Sequence, residues 1–115
     1  METVMRLLLV LLLTGCAQLK AIDYSIAPPE DWPLKEIVVT QFDPGTTPPL
    51  CAQYAGHTRS CAVINFRTGV CYISLTTNEP EVVEHERAHC RGFDHVGDLN
   101  RSRSKWEEWK KANGK

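Results

Sequence analysis

The stretch Glu79-Pro80-Glu81-Val82-Val83-Glu84-His85-Glu86-Arg87-Ala88-His89-Cys90-Arg91-Gly92-Phe93-Asp94-His95 decides how this chain is read. Pro80 suits the first turn of a helix, and Asn78 or Glu79 can cap it. Gly92 suits the left-handed residue that follows a helix end. The spacing predicts a helix over Glu79 to Arg91. At about 100° per residue, with His85 at zero, His89 projects at about 40° and Glu86 at about 100°. Val82, Val83 and Cys90 fall at about 60°, 160° and 140° by the same count. Glu84, Arg87 and Arg91 occupy the opposite arc, which suits solvent. Both imidazoles therefore belong to the buried side.

Moving outward, Cys61 to Phe66 and Val70 to Leu75 read as two strands joined by Arg67-Thr68-Gly69, with Gly69 free to take positive φ. On the second strand Cys71, Ile73 and Leu75 share one face, while Val70, Tyr72 and Ser74 share the other. Glu36 to Phe42 reads as a further strand, ended by Asp43-Pro44-Gly45. Ser104 to Lys111 reads as a second helix, with Ser104 and Glu107 in the form of a capping box and Trp106 and Trp109 on one side. The fold class is α+β: a small antiparallel sheet or hairpin packed on the helix of residues 79–91, plus a C-terminal helix.

The N-terminus is of another kind. Arg6 precedes the apolar run Leu7 to Leu13, which is too short to span a bilayer and fits the apolar region of a secretory signal. Leu13-Thr14-Gly15-Cys16 resembles the bacterial lipoprotein lipobox, and that resemblance implies cleavage before Cys16 and lipidation of its thiol. The expected organisation is a signal over residues 1–15, a lipidated tether over 16–31 and one domain over 32–115. A plain signal peptide is the alternative. Ala17, and not Asp, follows Cys16, so in a Gram-negative cell the expected place is the outer membrane, facing the periplasm. Cys51, Cys61, Cys71 and Cys90 remain, and in a small exported domain they suggest two disulfides, with three connectivities open. A bridge to Cys90 would pin the histidine helix to the rest of the domain. The formal net charge of −1 makes no electrostatic case for nucleic acid or an anionic membrane as a partner.

A buried imidazole needs a partner for its polar atoms, and two of them one turn apart beside a carboxylate are explained by a divalent metal. Zinc suits imidazole nitrogen, and catalytic sites keep three protein ligands. Gly92 can turn the chain so that His95 becomes the third. The pattern His-Glu-x-x-His-x-x-Gly-x-x-His arises by chance in a chain of this composition on the order of 2 times in 100,000.

His85 to His95 resembles the extended zinc signature of the metzincin metallopeptidases. The resemblance implies zinc held by His85, His89 and His95, with Glu86 as general base, on a minimal zincin-like domain. The expected activity is zinc-dependent hydrolysis of peptide bonds in a peptide or protein substrate of the cell envelope. The match covers 11 of 115 residues, and Met1 and Met5 are the only methionines, so the family's methionine turn has no counterpart. The rival from another class is a non-enzymatic envelope-assembly lipoprotein with a structural zinc.

Other residues are weighed by type. Tyr54 and Tyr72 are candidate oxyanion partners that read first as structural tyrosines. Asp98 and, more weakly, Asp94 are candidate ligands or acceptors for a histidine N–H; the reading favoured for Asp98 is a turn residue beside Gly97. His57 reads as an exposed loop residue. Trp106 and Trp109 read as core beneath the metal site, with a partner or peptidoglycan surface as the alternative.

Overall fold

The computed structural model describes residues 19–54 and 59–115; the apolar run, Cys16 and His57 lie outside them. The elements are β1 (Glu36–Gln41), a 3-10 turn (Pro49–Gln53), β2 (Cys61–Asn65), β3 (Val70–Leu75), α1 (Pro80–Cys90) and α2 (Arg101–Ala112). The result is a small α+β domain: a three-stranded mixed sheet with two helices. Among the described residues no helix is long and apolar enough to cross a membrane.

The sheet order is β1-β3-β2. β2 and β3 form the expected antiparallel hairpin, with Cys61 opposite Ser74 and Asn65 opposite Val70. β1 pairs parallel to β3, from Glu36 opposite Val70 to Gln41 opposite Leu75, which corrects the expectation of an antiparallel sheet. The hairpin partner occupies one edge of β3. β1 takes the other; the connection through the 3-10 turn leads into β2, which runs opposite to β1, and the hairpin reverses the chain again, so that β3 lies parallel to β1. The hairpin connection is also one residue longer than expected. Phe66 leaves the strand, and Asn65 Oδ1 accepts the N–H groups of Arg67 and Thr68 at 2.9 and 3.2 Å. Gly69 has φ +77° and lies so close to the Pro33 carbonyl and the Lys35 side chain that a Cβ would collide with both.

α1 crosses the face of the sheet formed by the alternate side chains Cys71, Ile73 and Leu75. These pack with Cys90, and Leu34, Ile37, Ala62, Ile64 and Val83 surround them. The core is small, and two disulfides supplement it: Cys71–Cys90 joins the central strand to the end of α1, and Cys51–Cys61 joins the 3-10 turn to β2. α1 ends as the sequence suggests. Gly92 takes φ +92°, its N–H donates to the His89 carbonyl at 3.0 Å, and the Phe93 N–H reaches the Ala88 carbonyl at 3.1 Å. That is the pair of bonds of a Schellman stop.

α2 begins three residues before its expected start, and the Ser104–Glu107 capping box does not form. The Ser104 N–H already bonds to the Asn100 carbonyl at 2.9 Å, inside the helix. The cap comes from a distant residue instead: Asp94 accepts from the Ser102 N–H at 3.0 Å and from its hydroxyl at 2.6 Å. A carboxylate at this end also meets the positive pole of the helix. Trp106 and Trp109 stack at 5.5 Å and build a second cluster with Trp32 and Phe66. Their role is core, and the cluster meets α1 through Trp32 Nε1, which donates to the Cys90 carbonyl at 2.9 Å.

The segment expected as a tether is, from Leu19 onward, packed on the domain. Ile22 bridges antiparallel to His95, the Asp23 N–H donates to the Asp94 carbonyl at 2.9 Å, and the Val96 N–H donates to Ala21 at 2.9 Å. Further on, Asp31 accepts from Trp106 Nε1 at 3.1 Å and from Lys110 at 2.6 Å. Pro28 and Pro29 keep this chain extended, as their chemistry requires, but the loop after α1 and the helix α2 supply its hydrogen-bond partners.

Candidate metal centre

Three turns of chain deliver three imidazoles to one point. His85 and His89 stand one turn apart on α1, on a different side from Val83 and Cys90, which pack on the sheet, and the Gly92 stop swings the chain so that His95 returns to them. The Nε2 atoms of His89 and His95 lie 3.0 Å apart, those of His95 and His85 3.0 Å, and those of His89 and His85 3.2 Å. These three histidines are close enough to bind a metal ion, and they form the one such group among the described residues.

The outer nitrogens fix the tautomers. His89 Nδ1 lies 2.9 Å from the Phe93 carbonyl, which can only accept, so Nδ1 carries the hydrogen and Nε2 presents a lone pair. His95 Nδ1 lies 3.2 Å from Asp98 Oδ2, an acceptor as carboxylate, so His95 Nε2 also presents a lone pair. Two lone pairs thus face each other at 3.0 Å. One proton on His85 Nε2 could bridge to a single neighbour, leaving the other contacts repulsive. A cation at the centre relieves all three. Tetrahedral zinc at about 2.0–2.1 Å from each nitrogen needs edges of about 3.3 Å. The observed triangle is within a few tenths of an ångström of that size, so the residues fit the ion.

Burial prepares the same groups. His85 is 8% exposed and Glu86 6%. Desolvation, then the neighbouring histidines, push His85 down to about 4, and desolvation likewise lowers His89, so both are held in the neutral form that can ligate. Burial pushes Glu86 up to about 7. A carboxyl in that range can take up and release a proton near neutrality.

The structure sorts the remaining candidates. Asp98 is brought to the site as acceptor for His95, so the turn-residue reading undervalued it. Its position three residues after His95 was the available signal. Asp94 serves as the cap of α2. Tyr72 is 40% exposed on the sheet face turned away from Cys71 and Ile73, hence away from α1, and is not brought to the site. Tyr54 is half-buried and donates to the Ala62 carbonyl at 3.3 Å. Burial raises its pKa, and the Glu86 charge adds to the rise, so this phenol lies within the field of the carboxylate. Cys90 is wholly buried in its disulfide and is no ligand. Sequence reasoning missed the Phe93 carbonyl and the strap formed by Ala21, Ile22 and Asp23, which fixes the backbone around His95. Comparison with protein-family models, with curated proteins and with solved structures found no match to this chain.

Proposed function

We propose that this protein is a zinc-dependent hydrolase of the zincin kind, a metallopeptidase tethered to the bacterial cell envelope through a lipid on Cys16. The observation that carries the reading is the lone-pair triangle of His85, His89 and His95, with Glu86, buried and next to His85 in α1, as its accompanying carboxyl. The spacing resembles the metzincin signature, and the imidazole donor set favours zinc over harder ions. Zinc, when bound, supplies Lewis acidity, activating water and polarising a carbonyl. The chain's own groups do the rest. Glu86 takes a proton from the attacking water and passes it to the leaving amine nitrogen, a task matched by its raised pKa. Phe93 and Asp98 hold the imidazoles of His89 and His95 in ligating orientation.

The rival, an envelope-assembly lipoprotein with a structural zinc, has no use for Glu86. The discriminating experiment is Glu86→Gln in the purified mature protein. Zinc content should stay at one per chain while cleavage of a panel of peptides and peptidoglycan stem peptides is lost. A wild-type protein that holds zinc and cleaves nothing in the panel favours the structural role. A wild-type protein without stoichiometric zinc removes both readings.

A further inference from the structure

Large apolar side chains left in water are concentrated in this molecule. Of seven among the described residues, Leu19, Tyr24, Val96 and Leu99 belong to two short segments that the backbone ties together. The Ile22–His95 bridge, the Val96 N–H bond to Ala21 and the contact of the Tyr24 and Phe93 rings at 5.2 Å make one unit of them. Val96 and Leu99 are 64% and 70% exposed. Singly scattered exposed residues call for no explanation, but a concentration on one paired unit marks a contact surface. Beside it runs an open groove of about 270 Å³ between the strap and α1, with Leu19, Ala21, Ile22 and Tyr24 on the strap side, Glu81 and Glu84 on the α1 side, and His85 at its end.

The chain that leaves this surface indicates its occupant. Leu19 is three residues beyond Cys16. At about 3.6 Å per residue, their Cα atoms can be no more than roughly 11 Å apart. A lipid on Cys16 therefore brings this face, which adjoins the anchor, within reach of the bilayer. An acyl anchor fixes a point and leaves orientation free, and a second apolar contact sets the orientation. Lys20 can extend its ammonium to the headgroups from within the same strap. We propose that Leu19, Tyr24, Val96 and Leu99 rest in the interfacial layer of the membrane beside the anchor. This rests on the lipid-anchor reading and deepens it. His95 precedes Val96, so the metal centre lies at the lipid surface and its substrates are peptides that lie on, or emerge from, the same membrane.

The test uses the full lipid-carrying protein in phosphatidylcholine vesicles, with and without bromine on the acyl chains. Leu99→Trp places a reporter on the face, and Asp43→Trp places one in the exposed loop after β1; the unsubstituted protein supplies the background of its native tryptophans. The Leu99→Trp increment should fall roughly twofold in brominated vesicles, because interfacial side chains reach about 5–10 Å into the boundary. The Asp43→Trp increment should not change. Mass spectrometry of the Cys16 peptide is run on the same sample. Lipid on Cys16 with an unquenched Leu99→Trp overturns the proposal and leaves the anchor standing. Absence of lipid on Cys16 overturns the anchor and the proposal together. An unquenched reporter in a protein that sediments as a dimer, and becomes monomeric on Leu99→Ser, assigns the face to a second copy instead.

Discussion

Gly92 and Gly97 offer a matched pair for asking what holds the third histidine of the candidate metal site. Their φ angles are +92° and +93°, so alanine at either meets the same left-handed backbone strain. That strain costs about 1–2 kcal/mol. Their surroundings differ. A Cβ on Gly97 meets nothing within 4 Å, whereas one on Gly92 lies 2.9 Å from the Trp32 ring and 3.0 Å from Pro28. Trp32 has little room to yield, because its Nε1 is bonded to the Cys90 carbonyl and its ring packs on Phe66 and Trp106. Pushing it aside forfeits that hydrogen bond, worth about 1 kcal/mol, and some packing. Gly97→Ala should therefore lower stability by about 1–2 kcal/mol and Gly92→Ala by about 3 kcal/mol or more. Urea unfolding of the metal-free, oxidised proteins measures both. Zinc affinity, from competition with a chromophoric chelator, should fall further for Gly92→Ala, since the displaced stop carries the Phe93 carbonyl and His95 with it. Equal losses at the two glycines, or an unchanged zinc affinity in Gly92→Ala, would refute the argument that Trp32 and the helix stop position the loop.

Three further outcomes follow from the same contacts. Asp98→Asn keeps the shape but removes the charged acceptor of His95, and should weaken zinc binding by about 10- to 100-fold while the urea midpoint of the metal-free protein stays put. Cys71→Ser with Cys90→Ser should cost about 3 kcal/mol, the value for a loop of this length, with the far-ultraviolet spectrum reporting whether α1 stays docked; an unchanged midpoint would show that the bridge is dispensable. The third concerns pH in the metal-free protein. His85 is pushed from 6.5 down to about 4, so acid protonates the unfolded state first and stability falls as pH drops through that window. Glu86 is pushed from 4.5 up to about 7, so its contribution is present at low pH and is lost as pH rises through about 7. Each shift is worth roughly 3 kcal/mol, and the two oppose each other over nearly the same range. His89 is lowered as well and adds to the loss in acid, so wild-type stability should fall only shallowly as pH drops below 6.5, while Glu86→Gln should lose stability steeply over the same range. Parallel profiles for the two proteins would contradict the opposition.

What was legible in the chain followed local geometry. The convergence of His85 and His89 comes from the pitch of a helix, and the return of His95 from a glycine that ends one, so both could be read without a partner segment. The same holds for the alternation of Cys71, Ile73 and Leu75. What could not be read depended on segments distant in sequence. Ile37-Val38-Val39 signals a strand but carries no information on its direction, which the crossover decides. Ser104 and Glu107 form a plausible local cap, yet Asp94 starts the helix earlier by reaching across the metal loop. Ala21 to Asp23 is too short for any periodicity, and its pairing with the His95 loop is purely tertiary. Neither disulfide partner was deducible from spacing, and the contact between strand and helix settles both.

The Cys71–Cys90 bridge also sets an order of assembly. Before it forms, the chain carries one free thiol, Cys90, a residue from His89 and a second, Cys71, on β3, and thiolates bind zinc as well as imidazoles do. Metal arriving at a reduced chain can therefore be captured by Cys90 and Cys71 in place of the histidine triangle. Oxidation removes those competitors and, in the same event, fastens the histidine helix to the central strand. The expected order is therefore disulfide first and metal second, and zinc added to the reduced protein should be held in part by Cys71 and Cys90 until an oxidant or a chelator frees it.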